Sequence, residues 1–205
     1  MRVRKVIDGL ETVLLGGAEV SVKPDRRELV AEVTEINSIL CTIRRGKLRW
    51  HENVKREQLD LGKLVGCLND REVEYVVVGG YAVAFHGVPR ATKDIDFFYH
   101  RTPDNVDRIL AAFKDCGLDL DVTPEDLLQP TVNYKIGYQP NQADFNPDVK
   151  GIIWEEAISR AEEGEILGHP ARFLDFDTLI RSKRAAGRPE DLFDVEKLMK
   201  HIGEV

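Results

Sequence analysis

The sequence predicts a mixed-sheet α/β (α+β) domain with a helical C-terminal part and a small N-terminal extension. Three observations lead there. From residue 61 onward the apolar patterns follow the order helix, strand, helix, strand, helix, strands, helices. A continuous run, Tyr75-Val76-Val77-Val78, stops at Gly79-Gly80, as a buried central strand ending in a tight turn does. With 42% hydrophobic residues, a chain of 205 residues can bury one sizeable core.

The informative boundary lies near residue 55, giving an N-terminal extension over 1–55 and a main domain over 56–205. Within the extension, Val6 to Leu15 reads as a short helix ended by Gly16-Gly17. Ser38 to Ile43 and Leu48 to Trp50, around Arg44-Arg45-Gly46-Lys47, read as a hairpin. In the main domain, Leu61, Leu64, Val65 and Leu68 recur at i, i+3, i+4 and i+7, the stripe of one helical face. After the strand at Tyr75–Val78, a helix is predicted over Tyr81–His86, closed by Gly87 and Pro89.

Asp94 to Tyr99 alternates acidic and apolar residues before turning aromatic, which predicts a second strand. Thr102-Pro103 supplies an N-cap and a first-turn proline for a helix whose stripe is Val106, Ile109, Leu110 and Phe113, ended at Gly117. Thr123-Pro124-Glu125-Asp126 repeats that capped start. Two strands, Val132–Tyr138 and Gln142–Phe145, follow around a turn at Gln139-Pro140-Asn141. Helices over Trp154–Glu163, Asp177–Ala186 and Pro189–His201, with an extended stretch at Ala171–Leu174, complete the chain.

Composition narrows the function. No apolar run approaches the roughly 20 residues of a membrane helix, and Met1-Arg2-Val3-Arg4-Lys5 leads into no signal-peptide segment, so a soluble, cytoplasmic protein without a membrane partner is expected. A net charge of −7 argues against a chain that coats nucleic acid. Cys41, Cys67 and Cys116 form no C-x-x-C pair and are expected as buried free thiols. The five histidines lack H-x-x-x-H spacing, which disfavours zinc, and Ser182 has no nucleophile-elbow context. Arg44, Arg45, Lys47, Arg49 and Trp50 offer a basic and aromatic surface, although ordinary solvated charge explains them as well.

The chemistry gathers at Asp94-Ile95-Asp96. On a strand this spacing sends both carboxylates to one side and Ile95 to the other. Two carboxylates held together repel unless a cation lies between them, and hard oxygen ligands suit Mg²⁺ or Mn²⁺. A lone Asp-x-Asp is more often a solvated strand end. Here Gly79-Gly80 adds a turn where backbone N–H groups can approach a phosphate without a Cβ in the way.

An apolar strand, Gly79-Gly80, thirteen intervening residues and Asp94-Ile95-Asp96-Phe97 together resemble the signature of the DNA polymerase β-like nucleotidyltransferase superfamily. The closer likeness is to bacterial nucleotidyltransferase-like proteins related to abortive-infection toxins. It rests on Arg90-Ala91-Thr92-Lys93 before the aspartates and on Ser182-Lys183-Arg184 through Asp191 and Asp194, and it covers about residues 60–200. The resemblance implies a nucleotidyltransferase fold and transfer of a nucleoside monophosphate from an NTP such as ATP to a hydroxyl acceptor, with Mg²⁺ or Mn²⁺. The acceptor classes it implies are a tRNA end, a partner protein's side chain or a small molecule, and membership of a toxin–antitoxin system follows only by analogy.

Under the resemblance, Asp94 and Asp96 ligate the metals, and Gly79, Gly80 and Thr92 belong to the nucleotide site. Arg90 and Lys183 offset the triphosphate charge. Lys183 and Arg188 have an alternative role as cations complementing a helix C-terminus, and Asp191 and Asp194 as braces of the last helix. The third carboxylate is expected at Asp144. Asp121 sits in a connection that need not face Asp94, and Asp148 follows Pro147, whereas Asp144 lies between Ala143 and Phe145 as Asp96 lies between Ile95 and Phe97. A second function class also fits: a binding or regulatory module of the same fold that holds nucleotide without turnover.

Overall fold

The computed structural model describes residues 59–203 and, ahead of them, the backbone of three strands, β1 (Arg4–Ile7), β2 (Leu10–Leu15) and β3 (Ala18–Val22). These strands pair antiparallel in the order β1-β2-β3. The helix expected over Val6–Leu15 is therefore corrected to strands. Ile7 pairs with Leu10 and Leu15 with Ala18, and in sequence the dipeptides Asp8-Gly9 and Gly16-Gly17 are strong hairpin signals. The hairpin expected over Ser38–Trp50, with its basic and aromatic residues, lies outside the described residues, as does Cys41.

From residue 61 the chain runs α1 (Leu61–Asp70), β4 (Tyr75–Val78), α2 (Gly79–Phe85), β5 (Asp94–Tyr99), α3 (Pro103–Asp115) and α4 (Pro124–Leu128). It continues with β6 (Tyr134–Tyr138), β7 (Asn141–Asn146), α5 (Trp154–Arg160), β8 (Glu162–Ile166), β9 (His169–Phe173), α6 (Phe176–Ala186) and α7 (Pro189–Gly203). Six strands form one mixed sheet in the order β6-β7-β5-β4-β9-β8. The pairs β7–β5 and β4–β9 are parallel and the other three antiparallel. The mixed α/β class is the one the pattern predicts.

Helices cover both faces. On one, Leu64, Val65 and Leu68 of α1 and Val106, Ile109 and Phe113 of α3 pack on Val77, Ile95, Phe97, Ala143, Phe145 and Phe173. On the other, Ile180 and Leu179 of α6 and Val195 and Leu198 of α7 pack on Val76, Val78 and Phe98. Since alternate strand residues point to opposite faces, Asp94 and Asp96 share the side of Phe98 and the C-terminal helices. Several helix starts are fixed as their sequence suggests. The Thr102 side chain accepts from the Asn105 N–H, and Thr123 and Asp126 form a reciprocal capping box.

Two expectations are corrected. The helix predicted to reach Glu163 stops at Arg160, and β8 follows, hairpinned to β9 through Leu167 and Gly168, both with positive φ (54° and 82°). Gly164 is needed in that edge strand, because a Cβ there would lie 2.6 Å from the Phe85 ring and 2.9 Å from the Phe173 ring. Cys67 and Cys116 are joined as a disulfide rather than free. Packing of α1 on α3 brings residues 49 apart in sequence to a Cα separation of 6.1 Å, a proximity that sequence spacing alone does not reveal. Among the described residues, no helix is long and apolar enough to cross a membrane.

Candidate active site

Strand β5 presents Asp94 and Asp96 on one face, with Ile95 and Phe97 fully buried on the other. Its parallel neighbour β7 pairs in register, Asp94↔Gln142 and Asp96↔Asp144, so Asp144 stands directly beside Asp96 on the same side. Ala143 and Phe145 pack into the opposite core, as flanking residues of a strand must if Asp144 is to face the polar side. Asp121 and Asp148 lie outside the strands of this sheet.

Ionisation of Asp96 is unfavourable in this setting. Burial, then the charges of Asp94 and Asp144, push the Asp96 carboxyl up to about 6 from an ordinary 3.8, while a hydrogen bond from Asn146 and the charge of Lys183 act the other way. Asp94 accepts a hydrogen bond from the Thr92 hydroxyl at 3.1 Å, which fixes the entry to the strand. Asp144 is 5% exposed and its two oxygens are taken by donors of this chain. The Lys135 ammonium pairs with Oδ2, and the Gln142 amide donates to Oδ1 at 2.6 Å. Among the described residues, no three acidic, histidine or cysteine side chains are grouped so as to hold a metal ion. The three carboxylates nevertheless offer the hard oxygen donors that suit a divalent ion, with Asp144 held by Lys135 and Gln142.

The turn after β4 meets this cluster. Val78 pairs with Asp96, and Gly79 opens α2 with φ of +65°. A Cβ at Gly79 would overlap the Asp96 carboxylate, so glycine is required both for the backbone and for the side chain packed over it. Gly80 has no positive φ. Its constraint is crowding, since a Cβ there would lie 2.7 Å from Thr92 Oγ1 and 3.0 Å from Arg90 Nη1. Segment 90–92 thus folds back over the start of α2.

Arg90 and Lys183 are placed near the cluster but are not free cations. Arg90 Nε pairs with Asp194 at 3.1 Å. Lys183 is 4% exposed and its ammonium is shared between Asp194 at 2.8 Å and Asp191 at 3.2 Å. Arg188 donates to Asp191 at 2.6 Å. Burial works against the charged Asp191 carboxyl, but the Arg188 hydrogen bond and the charge of Lys183 hold it below the usual carboxylate range. This network ties α6 to α7 and sets the cationic charge of Lys183 within the field of Asp96. Asp191 and Asp194 thereby do brace the last helix.

Lys135, Gln142 and Asn146 are the site residues that sequence reasoning missed. The signal for Lys135 was the hairpin register. With two connecting residues, Tyr138↔Asn141 puts Lys135 opposite Asp144, whereas a three-residue turn would put Ile136 there. Volume does not mark the site: a cleft of about 610 Å³ lies by the first residue of β4, lined in part by Glu72, Tyr75, Glu163 and Arg172, and none of the expected site residues borders it.

Comparison with known proteins gives one match. The model of a family described as nucleotidyl transferase of unknown function (DUF2204) matches residues 57–205. No curated protein and no solved structure matches the chain.

Proposed function

This chain belongs to that nucleotidyl transferase family, and from this premise we propose that it moves a nucleoside monophosphate from an NTP to a hydroxyl acceptor at the β5–β7 aspartates, with release of pyrophosphate. One observation carries the reading: Asp96 and Asp144 are paired in register on one face with Asp94 beside them, where burial first and then the two neighbouring charges hold the Asp96 carboxyl up at about 6. A fold without use for these charges gains nothing by keeping them together.

In this reading Asp94, Asp96 and Asp144 hold Mg²⁺ or Mn²⁺. The bound cation supplies Lewis-acid activation of the attacking hydroxyl and charge stabilisation at the leaving pyrophosphate. Asp144 receives the proton of the acceptor hydroxyl. The backbone at Gly79 and Gly80, with the Thr92 hydroxyl, borders the phosphates. Arg90 and Lys183 contribute positive charge, already partly offset by Asp194 and, for Lys183, by Asp191 as well. A tRNA end, a partner protein's side chain and a small molecule remain the acceptor classes, and a toxin–antitoxin role stands as analogy.

The test is incubation of the full chain with each α-labelled NTP and Mg²⁺ or Mn²⁺, following label transfer to tRNA, to protein and to small hydroxyl compounds together with pyrophosphate release. Asp144→Asn is expected to keep most NTP binding while transfer falls by orders of magnitude. Equal transfer by Asp144→Asn and parent removes Asp144 from the chemistry.

A second reading, a module that binds nucleotide without turnover, is favoured by the engagement of both Asp144 oxygens with Lys135 and Gln142. It predicts nucleotide binding with no pyrophosphate release from any NTP.

A further inference from the structure

Lys135 belongs to no motif, yet β6 sets it opposite Asp144 and its ammonium pairs with that carboxylate. It also lies in the field of the other two aspartates. The hydrogen bond to Asp144 first, and then the charges of Asp144, Asp94 and Asp96, hold its pKa above the ordinary lysine value. A cation of the chain itself is therefore paired with Asp144, within the field of Asp94 and Asp96.

The setting of Lys135 is that of a displaceable ion and not of a fixed tie. Its side chain is 57% exposed against 7% for Asp144, and β6 is an edge strand whose ladder partner is β7. The ammonium can swing into water without disturbing the core. Solvent screening and side-chain entropy weaken the lysine end of the pair, while the buried Asp144 carboxylate, left with Gln142 alone, calls for another cation in its place. Lys183 is the internal contrast: its side chain is 5% exposed and shared between Asp191 and Asp194, so leaving would strand buried charge.

We propose that Lys135 is a resident counter-cation of the aspartate site, which occupies Asp144 until a divalent cation displaces it and so sets how tightly that cation binds. This rests on the reading of the three aspartates as a cation site. The ammonium satisfies one carboxylate and partly screens the others, which allows the site to fold with no ion bound. A divalent cation must then replace an existing pair and not simply enter a field of three negative charges. Affinity for the free ion is lowered, and the released lysine turns its charge to the solvent side where substrates arrive.

The experiment is Mn²⁺ binding to the full chain without nucleotide, read from loss of the free-ion electron paramagnetic resonance signal. Lys135→Met is expected to bind Mn²⁺ roughly tenfold more tightly than the parent, equivalent to about 1.4 kcal/mol, and Lys135→Arg to stay near the parent. In the parent, Mn²⁺ should also raise the acylation rate of Lys135, measured by mass spectrometry after brief lysine labelling, a readout that requires no variant to fold. Parent binding that depends on Asp94 and Asp96, with Lys135→Met unchanged and no gain in Lys135 labelling, overturns the counter-cation role and leaves the cation site standing. Absence of Mn²⁺ binding in all three proteins overturns both.

Discussion

Asp96 of β5 and Asp144 of β7 are register partners on one face of the sheet, two carboxylates on strands about 4.8 Å apart. Burial of Asp96, with the charges of Asp94 and Asp144 added to it, is a debt the folded state carries at neutral pH. The Asp96 carboxyl titrates near 6 in the fold against 3.8 when unperturbed, so between those values the folded state binds the extra proton. Stability therefore falls as pH rises through this window and stays reduced above it. Asp96→Asn removes the penalty. In chelator-treated buffer it is expected to stabilise the protein at pH 7.5 by on the order of 1–3 kcal/mol, with little gain below pH 4. Urea melts at the two pH values check this, and a variant no more stable than the parent at pH 7.5 contradicts the assigned penalty.

Ligands bound only by the folded state stabilise it by mass action. Mg²⁺ or Mn²⁺ with an NTP at about a hundred times its dissociation constant should add about 2.7 kcal/mol. The melting temperature should rise accordingly, and Asp94→Asn with Asp96→Asn should abolish the rise while leaving a folded protein. A double variant that responds as the parent does would place the site elsewhere.

Gly79 and Gly80 should respond differently to substitution. At Gly79 any side chain meets positive φ and the Asp96 carboxylate together, so Gly79→Ala is expected to cost more than about 1 kcal/mol of stability in a thermal melt. Gly80→Val keeps an allowed backbone but displaces Thr92 and Arg90 from the start of α2. It should lose nucleotide binding, measured by calorimetry. Full NTP affinity in a folded Gly80→Val protein would take this turn out of the site.

Lys183→Met leaves Asp191 and Asp194 buried with less positive charge between them. Removing one partner of a buried ion network costs about 3–5 kcal/mol. Denaturant unfolding should reveal a loss of that order, and it should be smaller in Lys183→Met with Asp194→Asn than in the single variant. Near-parent stability of Lys183→Met would mean that the α6–α7 network contributes little.

Much of this was legible in the sequence because the decisive patterns are local. Strand alternation in Asp94-Ile95-Asp96 and Ala143-Asp144-Phe145 is enough to put three carboxylates opposite apolar neighbours. Thr102-Pro103 and Thr123-Pro124 carry their own cap chemistry. What escaped depends on contacts between distant residues or on a single residue of register. Cys67 meets Cys116 only because α1 lies on α3. Lys135 meets Asp144 only if the β6–β7 connector has two residues and not three. The paired state of Lys183 could not be read from its place near a helix end, since its partners lie on the following helix. The N-terminal strands were missed for a different reason: Asp8-Gly9 and Gly16-Gly17 were a local signal, overlooked in favour of helical spacing.

The parallel pairing of β5 with β7 has a consequence for how the molecule comes into being. Asp144 leaves the ribosome about fifty residues after Asp94, and α7, which neutralises Lys183, emerges last among the described elements. A chain interrupted before β7 would carry Asp94 and Asp96 without their third companion, and one interrupted before α7 would carry Lys183 without its carboxylates. The three aspartates and the carboxylates that settle Lys183 therefore come together only after both β7 and α7 have been made.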